Sequence, residues 1–108
     1  MTRAGGGRPR HELPEIDAAG MTAARWADRL VAAAHERGVV RWEQFLAPVP
    51  ERLRDEGLPA LRATALRARA AYGPKDSIRD ALPADLTEPF RDALDLLLKA
   101  IAREEARR

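Results

Sequence analysis

Six apolar side chains recur at helical spacing near the end of this chain. Leu86, Phe90, Leu94, Leu97, Leu98 and Ile101 stand at i, i+4, i+8, i+11, i+12 and i+15. That period puts all six on one side of an α-helix about four turns and 23 Å long. A helix with such a face must bury it against another layer. No segment alternates β-branched and polar residues at the period of two that a half-buried strand needs. The covering layers are therefore helices, and the expected fold is all-α: a small irregular bundle of about five helices with a flexible N-terminal arm.

The 108 residues leave room for one hydrophobic core. Residues 1–16 carry Gly5, Gly6, Gly7, Pro9 and Pro14 with little to bury, and read as the arm. Residues 17–108 read as a single helical domain. Asp17, Gly20 and Thr22 supply turn and cap chemistry for a first helix from Thr22 to Arg37. Its apolar side holds Ala23, Ala27, Leu30, Val31 and Ala34, and Gly38 ends it. Trp42, Phe45 and Leu46 share a face of a short second helix, closed by Pro48 and Pro50. One further turn surrounds Leu53. A helix from Leu58 to Tyr72 has a narrow stripe of Leu58, Leu61, Ala65 and Leu66, with Arg62, Arg67 and Arg69 outside it. Asp76 or Ser77 caps a short helix with Ile78 and Leu82, and Asp85 with Glu88 forms a D-x-x-E cap for the last helix. The largest residues on the converging stripes are the expected core: Leu30, Trp42, Phe45, Leu61, Phe90, Leu94 and Leu97.

Several chemistries find no residues to carry them. The chain has no cysteine, so disulfides, thiolate metal sites and a cysteine nucleophile are excluded. Its two histidines, His11 and His35, show no metal-ligand spacing. Thr22, Thr64, Ser77 and Thr87 stand in no nucleophile motif. The acid pairs Asp92/Asp95 and Glu104/Glu105 lie among arginines, where helical ion pairing accounts for them. The chain is expected to catalyse nothing on its own and to need no cofactor or metal. No apolar run approaches the roughly 18 residues that span a bilayer, and no apolar segment follows the basic N-terminus as in a secretory signal. A cytoplasmic location with no membrane partner is expected.

Two functions fit what is left. The first is a small helical protein-interaction module, an accessory subunit or adaptor, or a homo-oligomer. A helix as short as the one bearing Trp42 and Phe45 is unstable alone and must pack on its own chain or on a partner. Leu97 and Leu98 point about 100° apart and widen the last helix's apolar face beyond what one neighbour covers. The expected contact residues are Trp42, Phe45, Phe90, Leu94, Leu97, Leu98 and Ile101. The alternative is a small DNA-binding regulator. Gly7-Arg8-Pro9-Arg10 resembles the Gly-Arg-Pro core of AT-hooks, which would send Arg8 and Arg10 into a minor groove. Arg62 and Arg69 would then add phosphate contacts. The net charge of only +2 and the lack of a helix-turn-helix spacing favour the first function.

One stretch resembles a known family. His35-Glu36-Arg37-Gly38-Val39-Val40-Arg41-Trp42-Glu43-Gln44-Phe45 is similar to the H-E-R-G-x-x-x-W-x-E-F signature of the nitrile hydratase β-subunit N-terminal region and its related accessory proteins. Gln44 stands where that family has an acid, with Glu43 one place early. The lead-in from Leu13-Pro14 through Gly20 to Trp26 is also similar, while the aromatic-rich pattern of the family's closing helix is missing. The resemblance covers about a third of the chain. It implies an all-α partner-binding domain or a maturation factor for a metalloenzyme, with no metal ligands in this chain.

Overall fold

The computed structural model describes residues 8–107. Residues 1–7 of the expected arm lie outside them. A short 3-10 turn, Arg10–Glu12, leads directly into α1, Pro14–Arg37. α2 spans Val40–Leu46, α3 Val49–Asp55 and α4 Ala60–Arg69, which tightens into a 3-10 turn at Ala70–Tyr72. A single turn, α5 at Ile78–Ala81, precedes α6 at Ala84–Ala106. Five helices thus have seven residues or more, and no strand occurs among the described residues. The fold is all-α, as the apolar spacing requires.

The helix boundaries differ from expectation at the front of the chain. α1 starts eight residues before Thr22, with Pro14 at its first turn and Glu15 and Asp17 against its positive dipole end. Leu13 and Ile16 are buried, so the C-terminal part of the expected arm belongs to the packed body. Gly20 is no turn residue; it lies inside α1 and is itself buried. A Cβ there would stand 2.8 Å from the Leu53 carbonyl oxygen and 2.7 Å from Arg10 Nη2. The glycine is what lets α3 approach α1 so closely. At the far end Gly38 takes φ 69°, and its N–H reaches the carbonyls of Ala34 and His35.

Ser77 caps α5: its hydroxyl accepts from the Arg79 N–H at 3.1 Å, and the Asp80 carboxylate accepts from the Ser77 N–H at 3.2 Å. The expected Asp85/Glu88 cap does not form, because α6 begins at Ala84 behind Pro83 and Asp85 falls within its first turn.

α1 and α6 are the two long elements and run antiparallel. Glu15 near the start of α1 pairs with Arg103 near the end of α6, and Ala18, Ala19 and Thr22 lie beside Ala93 and Leu96. α4 packs on the other flank of α6, also antiparallel. Arg62 meets Glu105 at 3.8 Å, Arg69 meets Asp95 at 2.8 Å, and the Tyr72 hydroxyl donates to the Thr87 carbonyl at 2.6 Å. α2 and α3 close over α1 through His35–Glu43 at 2.9 Å and an Arg54–Asp28 pair. The body measures 46 × 22 × 21 Å. Leu30, Leu46, Leu53, Leu61, Ile78, Phe90, Leu94, Leu97 and Ile101 are fully excluded from solvent. Buried alanines at 23, 24, 27, 34 and 65 bring the helices close. Every expected core residue is buried save Phe45, which is half-buried. No helix among the described residues is long and apolar enough to cross a membrane.

Candidate functional site

Three separate parts of the chain meet at the end of the bundle where α1 finishes. α2 begins there because the Gly38 corner turns the chain back, and it brings Arg41, Trp42 and Phe45. α4 arrives at the same end because it runs antiparallel to α6, and it brings Arg67. The turn and loop after α4 add Ala70, Ala71, Lys75 and Asp76. Together these residues line a groove of about 380 Å³.

The groove has an apolar floor and a charged rim. Trp42 and Phe45 meet edge to face, ring centroids 5.4 Å apart at 83°. Trp42 is buried to 6% exposure, while Phe45 keeps part of its ring in the opening. The Arg41 guanidinium lies 4.8 Å from the Trp42 centroid. Arg41, Arg67 and Lys75 have no carboxylate partner among the described residues. Asp76, held at φ 51°, is the only acid on the rim. The groove therefore has more positive than negative charge beside an exposed aromatic edge. Carboxylates with an adjoining apolar side chain are the ligand chemistry that such a floor and rim suit.

Behind the groove Tyr72 ties α4 to α6. Burial raises its phenol well above the ordinary tyrosine value, although Arg69, Arg91 and Arg79 pull the other way. Its hydroxyl is spent on the Thr87 carbonyl, so it serves the scaffold.

The expected contact residues divide between this groove and the interior. Trp42 and Phe45 are brought together in it. Phe90, Leu94, Leu97 and Ile101 are fully buried in the chain's own core and present nothing to a partner. Leu98 is half-buried against that core, and its helical position lies between those of Asp95 and Glu105, which meet α4. The leucine that α6 does expose is Leu96, at 62%. The α1 side, not the α4 side, is the open one.

The four arginines of the DNA-binding alternative are engaged within the chain. Arg10 is the clearest correction: its side chain is only 10% exposed, its Nε donates to Asp17 at 3.0 Å and its Nη1 to the Glu56 carbonyl at 2.7 Å. Arg8 lies 3.5 Å from Glu104. Arg62 and Arg69 face Glu105 and Asp95 across the α4–α6 seam. Arg41 and Lys75, the groove's other cations, carry no shared signal in the sequence, since they are far apart in the chain and only tertiary packing unites them. A signal did exist for Arg67: five residues from Arg62, it lies about 140° round the helix and off the paired face. Among the described residues no three His, Cys, Asp or Glu side chains converge as metal ligands.

No family model matches this chain, and comparison with curated proteins and with solved structures finds no match either.

Proposed function

We propose that this chain is a small helical protein-interaction module, an accessory subunit or adaptor, that docks an acidic partner segment in the Trp42–Phe45 groove. The observation that carries this reading is the coincidence, at one concave site, of an aromatic floor and three cations without carboxylate partners. Elsewhere the arginines singled out by sequence are matched by acids. A single-stranded nucleic acid suits the groove less well. Such ligands need ring faces free for stacking, whereas the Trp42 face is under Arg41 and the Phe45 ring meets Trp42 edge-on. The similarity of residues 35–45 to the nitrile hydratase β-subunit supports a metalloenzyme subunit as the first partner to test.

The test is affinity purification of the full chain from its source cells, beside an Arg41→Glu/Arg67→Glu variant. Proteins held by the wild-type chain should be lost by the variant, and their retention should weaken with salt. Retention of the same proteins by both chains would overturn the reading.

A further inference from the structure

The face between α1 and α6 lies away from the Trp42–Phe45 groove and is a surface of its own. Its centre is a hollow of about 160 Å³ lined by Ala18, Ala19, Thr22, Ala93 and Leu96. Small residues make the floor, and Leu96 stands out of it at 62% exposure, the most exposed large apolar side chain among the described residues. A hollow beside a protruding leucine is a shape that can fit itself.

The charges along the rims say what covers it. On α1, Glu15 lies at one end and Arg25 and Arg29 toward the other, all exposed. α6 runs the opposite way, so Lys99 and Arg103 stand at the level of Glu15, and Glu88 and Asp92 at the level of Arg25 and Arg29. Each rim reverses sign along its length, and the two rims are opposite at every level. A two-fold axis parallel to the helices would lay α1 of one copy across α6 of the other, antiparallel and at the same level. Arg25 and Arg29 would then face the second copy's acids, Glu15 would face its Lys99 and Arg103, and each Leu96 would enter the other copy's hollow. We infer that this chain forms a two-fold homodimer through the α1–α6 face, closing a four-helix arrangement around Leu96. A nucleic acid would be repelled by Glu88 and Asp92, and an apolar lipid surface would have to desolvate charges of both signs. A second copy sets an opposite charge against every one of them, extending the pairs that Glu15 makes with Arg103, and Glu88 and Asp92 with Arg91, inside each chain.

Sedimentation of the full chain at micromolar concentration tests this directly, with a dimer expected. Leu96→Glu, at an exposed position, should keep the helical circular dichroism of the wild type and weaken the dimer at least tenfold, because it puts a charge into each hollow. The stronger test uses two charge-reversed chains, Arg25→Glu/Arg29→Glu and Glu88→Arg/Asp92→Arg. Alone, each sets like charges opposite one another twice and should dimerise about tenfold more weakly or worse. Mixed, they restore both contacts and should form a heterodimer, a gain that misfolding cannot imitate. A monomeric wild type, or a mixture that associates no better than its components, would overturn the inference. The Arg41/Arg67 groove is untouched in all these chains, so the outcome is independent of the function proposed for it.

Discussion

Gly20 shows how one missing methyl group sets the distance between two helices. In an exposed helix interior, alanine in place of glycine gains about 1 kcal/mol. Here the added carbon would meet the Leu53 carbonyl at 2.8 Å, and a backbone oxygen cannot swing aside as a side chain can. Overpacking a tight site costs about 1–3 kcal/mol. Gly20→Ala should therefore lose about 1 kcal/mol net in urea denaturation; a gain would mean that α3 can slide without penalty. Tyr72 gives a second test at this scale, helped by being the only tyrosine. Its folded-state pKa lies above the unfolded one, so its contribution to stability is complete below about pH 10 and is lost as pH rises past that value. The ultraviolet signal of tyrosinate should be missing from the native protein at pH 10 and appear only with alkaline unfolding. An ordinary titration near pH 10 in the folded chain would place the ring in solvent. Neither residue was legible before the structure. Gly20 read as a turn because glycine usually marks one, and its close approach to Leu53 spans more than thirty positions of chain. Arg10 was misread for the same reason, since Asp17 and the Glu56 carbonyl hold it from two different elements.

The helices themselves were legible where their period was strong. The α6 stripe predicted Phe90, Leu94, Leu97 and Ile101 on one face, and all four are fully buried. Phe90→Ala and Leu94→Ala should each cost about 2–5 kcal/mol by loss of transfer energy and creation of a cavity. Loss below about half a kcal/mol in denaturant melts would contradict their burial. What the period could not say was which flank of the stripe stays open. Leu98 and Leu96 border it on opposite sides, and only the placement of α4 over the Leu98 flank decides between them. Helix starts were less legible than faces. Pro14 suits the first turn of a helix, but among Pro9, Gly5, Gly6 and Gly7 it reads equally as arm. The D-x-x-E at Asp85 was a false cap because Pro83, locked near φ −62°, already serves as the N-terminal boundary. At α5 the sequence left the cap open between Asp76 and Ser77; Ser77 takes it, and Asp80 supplies a reciprocal half not expected from the sequence.

At the scale of the whole molecule, the two long helices fix both the elongated body and the relation between its two surfaces. The groove lies at the end where α1 finishes and α6 begins, while the proposed dimer face runs along their shared flank. A two-fold axis parallel to those helices leaves both grooves at the same end of the assembly, facing one side. That arrangement would let one dimer hold two acidic segments of a single partner, with the second engagement made effectively intramolecular. It also ties stability to concentration. When folding and pairing are coupled, mass action adds about 1.4 kcal/mol per dimer for each tenfold rise in protein above the dissociation constant. For a body of this size that moves the melting temperature by a few degrees. The Tm of the wild-type chain should climb across a hundredfold rise in concentration, and that of Leu96→Glu should stay level over the same range. The comparison separates pairing from folding: Leu96 is exposed, so at low concentration the two chains should melt together. A wild-type Tm that ignores concentration, with Leu96→Glu matching it throughout, would leave the α1–α6 face uncovered and each groove alone.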